Sequence, residues 1–252
     1  MQSIKSALVC GFAVMGISTA AHAGLIAHYT FDGHLNDSVG NNHATADGTV
    51  NFVAGVAGQA MSVDALSYAV SQNNVGISGN QARTLSFWFN AAELQNQAPV
   101  SFGEKLNTAK TLFEVLLGGE SNGYKLIGHF WGTGGDTIGI ADGSYTPGTW
   151  THIALVYDGS VVKLYQDGQQ VGSDYAVELN TVDDKLFLGG GNLDNPFGAN
   201  YVGAIDDVQL YNNALNAEQI NFLYSNPGEA VPEPASLALI GLGGLLLVRR
   251  RG

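Results

Sequence analysis

The chain has 252 residues, with ten basic and 22 acidic side chains, a formal charge of −12 and one cysteine. An acidic balance of that size repels nucleic acid and anionic lipid or polysaccharide at long range, which argues against a phosphate-tracking role. A single cysteine excludes an internal disulfide, so stability falls to core packing or a bound metal.

The N-terminal stretch has the pattern of a secretory signal peptide, residues 1–23. Lys5 precedes an apolar run from Ala7 to Ile17, and Ala21-His22-Ala23 forms an A-x-A site that places the cut between Ala23 and Gly24. Cys10 lies inside this segment, with too short an apolar run before it for a lipoprotein cysteine. Between Gly24 and Val231 six basic residues face 21 acids, a formal charge of −15. That balance favours solubility and attracts divalent cations.

From Gly24 onward the pattern is short strands and turns. "LIAHYTF" alternates, with Leu25, Ala27, Tyr29 and Phe31 on one face, and "TLSFWFN" puts Leu85, Phe87 and Phe89 opposite Trp88. "THIALVY", "VVKLYQ" and "QQVGSD" are joined by Asp158-Gly159-Ser160 and Asp167-Gly168, which predicts three strands and two tight turns. "KLFLGG" and "GAIDDVQLY" predict two more strands. In "LNAEQINFLYS", Asn216 can cap, Gln219 sits at the third helical position, and Ile220, Leu223 and Tyr224 share a face. That predicts one short helix over a sheet edge. Residues 91–109 and 189–200 read as long polar loops. Many short strands with little helix mean an all-β sandwich or barrel.

Four blocks in order, "GLIAHYTFDGHLNDSVGNNHATADG", "RTLSFWFN", "GTWTHIALVYDGSVVKLYQDGQQVGS" and "VGAIDDVQLYNNALNAEQI", resemble a laminin-G-like, concanavalin A-type domain over residues 24–226. The resemblance implies a two-sheet antiparallel jelly-roll sandwich with one short C-terminal helix, used mostly for binding. In such a fold the first and last strands pair, which would bring Asp32 beside Asp206. The resemblance then implies a structural calcium held by Asp32 and Asp206, with Asn36 as a weaker third ligand; calcium takes six to eight oxygens. The plain alternative is that Asp32, Asp37 and Asp206 are turn residues bonding their own backbone. Asp207 is expected on the opposite face from Asp206. His28, His34 and His43 lack zinc spacing and read as polar loop and face residues.

Trp88 and Trp150 fall in blocks that supply packing aromatics. Trp131, in "LIGHFWGTGGDT", ends a strand at a glycine-rich turn where a ligand could approach the backbone. It is the candidate sugar platform, with His129 and Asp136 as hydrogen-bonding neighbours and Tyr124 and Tyr145 as weaker companions; the alternative is another core aromatic. No Glu-x-Asp-x-x-Glu strand and no Gly-x-Ser-x-Gly elbow is present, and Glu114 in "TLFEVLL" stands isolated. These residues point to a module that is not an enzyme, with a glycoside hydrolase as the less favoured alternative.

The chain closes on "VPEPASLALIGLGGLLLVRRRG". Ala235 to Val248 is 14 residues, about 21 Å as a helix, against a hydrocarbon core of about 30 Å. A thin membrane anchor is one reading. Pro-Glu-Pro, an apolar run and an arginine cluster, in that order, resemble the PEP-CTERM sorting signal of Gram-negative bacteria, here over residues 227–252. The resemblance implies an exosortase-type processing enzyme acting near Pro232, Glu233 and Pro234, with residues 235–248 in the membrane only transiently. The expectation is an exported, non-catalytic recognition module at the outer-membrane surface or outside the cell, binding exopolysaccharide. The other reading is a structural or adhesive matrix protein that contacts proteins.

Overall fold

The computed structural model describes residues 24–103, 109–120, 123–131, 138–190 and 201–232. The expected signal peptide with Ala23, the ligand candidate Asp136, and the tail with Glu233 and Pro234 lie outside the described residues. Those described form, in chain order, β1 (Leu25–Tyr29), β2 (Ala44–Asp47), β3 (Asn51–Ala54), β4 (Gln59–Val63), β5 (Tyr68–Asn74), β6 (Arg83–Ala91), β7 (Val100–Gly103) and β8 (Leu112–Leu117). Then come β9 (Leu126–His129), β10 (Ile138–Asp142), β11 (Thr151–Tyr157), β12 (Val161–Gln166), β13 (Gln169–Ala176), β14 (Lys185–Leu188), β15 (Gly203–Tyr211) and α1 (Ala217–Ser225).

All strand pairings among these are antiparallel, in two sheets. The first runs β13-β12-β11-β6-β15-β4-β3, with β1 also on β15; the second runs β10-β9-β8-β7-β14-β5-β2. One edge of β15 serves two partners. β1 takes its C-terminal half, Tyr29 opposite Val208, and β4 its N-terminal half, Ile205 opposite Met61. The expected pairing of first and last strands is therefore present.

The core lies between the sheets and follows the alternation of each strand. Leu85, Phe87 and Phe89 of β6 meet Val100 and Phe102 of β7, Phe113 of β8 and Leu186 of β14. Ser86 and Trp88 point to the other face of the first sheet, which α1 covers. The helix starts with a capping box: Asn216 accepts from the Gln219 N–H, and the Gln219 side chain accepts from the Asn216 N–H. Its buried Ile220 and Leu223 join Ala154, Val156, Tyr165 and Tyr211 in a second apolar cluster. The helix thus lies across the sheet's outer face rather than only over an edge, and Tyr224 stacks on Trp88 at 5.6 Å between ring centroids.

Three local expectations change. The β12–β13 turn has positive φ at both Asp167 and Gly168, as predicted, but in the β11–β12 turn only Gly159 does. There Asp158 holds the turn instead, accepting from the N–H groups of Ser160 and Val161. The stretch 91–109 contains a buried strand, β7, which pairs with β14 and β8. Asp207 does not point away from Asp206. The β15 register shifts between Asp206 and Gln209, and Asp207 takes a φ of +48°. That bulge leaves both acids on the face away from the core, between inward-facing Ile205 and Val208.

Candidate functional site

Asp32 and Asp206 converge on one turn, Gly55-Val56-Ala57-Gly58, between β3 and β4. Asp206 Oδ2 accepts from the N–H groups of Val56 (2.8 Å) and Ala57 (3.2 Å), and its Oδ1 from the Asp207 N–H (2.7 Å). Asp32 Oδ1 accepts from the Gln59 N–H at 2.9 Å. Two glycines let the carboxylates come this close. A Cβ at Gly58 would stand 2.0 Å from Asp32 Oδ1, and one at Gly55 would stand 2.3 Å from Asp206 Oδ2. Asp206 is fully buried. Burial pushes its carboxyl up to about 6, against the pull of its three N–H donors.

The two acids grip the turn from its two ends, Asp206 at Val56 and Ala57 and Asp32 at Gln59. The oxygens that calcium needs are only partly assembled, because backbone N–H groups face Asp206 on both of its oxygens. Asn36 does not join them: it is exposed and lines a separate groove. Asp37 is buried and organises the β1–β2 loop, accepting from the N–H groups of His28, Val39 and Asn42. Among the described residues no group of three or more His, Cys, Asp or Glu side chains is placed to hold a metal.

Of the predicted sugar platform, Tyr124 stands apart from Trp131. Tyr124 sits in the turn before β9 with a φ of +54°, and Trp131 lies beyond the other end of that strand. Seven residues of extended chain separate them by about 20 Å. Both rings are half-buried. The Trp131 carbonyl accepts from the N–H groups of Thr111 and Leu112, which continues the β8–β9 ladder. His129 is 7 % exposed and its Nδ1 lies 2.6 Å from Glu114 Oε1, so its imidazole is committed to a buried pair. Glu114, isolated in sequence, gains this partner because β8 and β9 place it directly opposite His129, with Ser101 of β7 on its other side.

The described residues do contain an open groove of about 590 Å³. It forms where the chain crosses from β2, at the edge of the second sheet, to β3, at the edge of the first. Leu35 and Phe52 give it an apolar surface; His34, Asn36, Thr45 and Thr49 give it donors and acceptors. No acidic side chain, lysine or arginine lines it. The sequence offered little signal for this site. Phe52 lies in a four-residue strand too short to show a clear alternation, and His34 reads as a loop histidine until the two edges come together.

A further buried pair escapes sequence reading. His152 Nε2 lies 2.9 Å from Ser86 Oγ beneath α1, and the ring packs against Trp88 and Tyr224. Its Nδ1 has no hydrogen-bond partner among the described residues, and burial pulls its pKa down to about 3.

Three similarities bear on this arrangement. Mouse pappalysin-1 is 33% identical over 101 residues, 37% of this chain but only 6% of that protein, so the chain matches a small part of its relative. Domain 4 of AbnA, an extracellular arabinanase from Geobacillus stearothermophilus solved with arabinotriose, superposes with a TM-score of 0.66 at 24% identity, over 81% of this chain and all of that one. A Trypanosoma rangeli sialidase superposes with a TM-score of 0.59 at 16% identity, over 80% of this chain and 32% of that one. At these identities the two structures share the fold alone. Residues 230–251 match the PEP-CTERM protein-sorting motif, which implies export. Among the described residues no helix is long and apolar enough to cross a membrane. The model of the concanavalin A-like lectin/glucanases superfamily matches residues 64–221, more than half of the chain, and with two antiparallel sheets closed by their first and last strands this protein belongs to that superfamily.

Proposed function

We propose that the protein is an exported, non-catalytic module that binds a neutral carbohydrate in the groove between the β2 and β3 edges. The observation that carries this reading is the lining of that groove. An apolar surface with an aromatic ring, rimmed by uncharged hydrogen-bonding groups, complements the two faces of a sugar. The absence of a cation from the lining and the formal charge of −15 favour a neutral glycan over a polyanion. The arabinotriose held by the structurally similar arabinanase domain supports the ligand class. The lining also has no carboxyl group for acid–base chemistry, which favours recognition over hydrolysis. Display at the outer-membrane surface or in an exopolysaccharide biofilm of a Gram-negative cell, after processing by an exosortase-type enzyme, completes the reading.

Glycan-array binding by the processed chain tests it. Phe52→Ala is expected to weaken retention about tenfold, the order of one lost ring contact. Trp131→Ala is expected to leave retention unchanged. The reverse pattern would move the site to the β9 end, and no retention of any neutral glycan would refute the reading.

Calcium belongs to the proposal at Asp32 and Asp206, where a cation would offset the cost of burying the Asp206 charge. Metal-depleted protein at pH 7.5 is then expected to gain several degrees in melting midpoint on titration with calcium. An unchanged midpoint at millimolar calcium would retire the metal and leave the two acids as turn clamps.

A further inference from the structure

The chain does not leave the domain when α1 ends. Residues 228–231 run back across the outer face of the first sheet, and a chain of buried side chains fastens them there. Asp207 Oδ2 accepts from the Gly228 N–H at 2.9 Å. Asp207 Oδ1 is held 2.8 Å from His28 Nε2 and accepts from Gln209 Nε2 at 2.7 Å. Gln209 Nε2 also donates to the Glu229 carbonyl at 3.1 Å, while Gln209 Oε1 accepts from the Tyr211 hydroxyl at 2.5 Å. The Tyr211 oxygen in turn accepts from the Val231 N–H at 3.3 Å. Ala230 and Val231 are buried in the second apolar cluster beside Leu25, Tyr211 and Leu215.

The match to the sorting motif begins at residue 230, so its first two residues are built into the folded domain. A cleaving enzyme takes its substrate as an extended segment with free backbone groups. Gly228, Glu229 and Val231 each have a backbone group already bonded to a side chain of β15. We infer that the fold sets the N-terminal limit of sorting-motif processing: peptide bonds from Gly228 to Val231 are withheld, and cleavage is confined to bonds C-terminal to Val231.

The clasp also reports on folding. His28 comes from β1 and the other three side chains from β15, strands 179 positions apart at the His28–Asp207 contact. Only a chain that has paired its first and last strands can form it. An unfolded chain exposes residues 226–231, and its processing boundary moves inward. This inference is independent of the carbohydrate reading.

Brief native-state digestion of the full chain with proteinase K, followed by mapping of the C-terminal peptide by mass, tests it. Folded wild type is expected to yield no product ending before Val231. Gln209→Ala and Tyr211→Phe are expected to yield products ending at 226–230 at least tenfold faster. Wild type trimmed to those positions as fast as the variants would overturn the inference. Hydrogen exchange on the unmodified chain decides the matter if either variant fails to fold. The Gly228 and Val231 amides are expected to be protected like those of β15, and exchange near the unfolded rate at both would overturn the inference.

Discussion

Arg83→Ala is expected to destabilise the fold by roughly 3–5 kcal/mol, a drop on the order of 10 °C in melting midpoint. Arg83 is the only arginine between Gly24 and Val231, and it is fully buried at the start of β6. Its Nε donates to the Gln81 carbonyl at 2.8 Å and its Nη2 to the Gly79 carbonyl at 2.7 Å. The guanidinium lies 5.3 Å from the ring centroids of Phe113 on the second sheet and Tyr157 on the first. It therefore ties the 79–81 turn to both layers at once. Burial lowers its pKa to about 10, which still leaves it charged at neutral pH. Alanine would strand two carbonyls and open a void between two rings. Arg83→Met, which keeps most of the volume, is expected to recover the void's share but not the carbonyls', for a loss of roughly 1–3 kcal/mol. Urea unfolding at constant m-value reads both. A loss below 1 kcal/mol for the alanine variant would show that the turn finds other donors.

The second large effect is in the pH profile of metal-depleted protein, where two buried groups oppose each other. His152 is held neutral, its pKa lowered from 6.5 to about 3, so its contribution is present above pH 6.5 and is lost as pH falls. Asp206 is raised from 3.8 to about 6, so its contribution is present at low pH and is lost as pH rises through 6. Between pH 7 and pH 5 the first loses about 2 kcal/mol and the second gains about 1 kcal/mol. The pair together therefore loses about 1 kcal/mol across the window. His152→Gln removes the falling contribution and leaves the rising one, so the variant's melting midpoint is expected to climb by about 3 °C from pH 7 to pH 5. Parallel profiles for variant and wild type would mean that the imidazole is not kept neutral by its burial.

The elements were legible where a local rule governs them. The capping box at Asn216 and Gln219 acts within four residues, and Asp167-Gly168 supplies two positive φ angles within one turn. The alternation of Leu85, Phe87 and Phe89 against Trp88 follows from the two-residue period of any strand. The approach of Asp32 to Asp206 was legible only through resemblance, since no local rule reaches across that separation. β7 was missed because its short buried run lies within a polar stretch that reads as loop. The Asp207 bulge was missed because an αL residue in mid-strand is set by tertiary context rather than by its own propensity.

The site residues divide on the same line. Glu114 and His129, Ser86 and His152, and the His28–Asp207 contact of the clasp are pairings across strands. Which side chain meets which depends on register, and a shift of one residue sends each of them to the other face. What the amino-acid order by itself determined is the all-β character, the helix and its cap, and the sorting tail, because each is encoded in neighbours a few residues apart. What only the tertiary structure decided is the groove between two sheet edges, the grip of Asp32 and Asp206 on a glycine turn, and the fastening of residues 228–231. Those depend on strand pairing across long loops, where burial turns ordinary polar residues into committed partners.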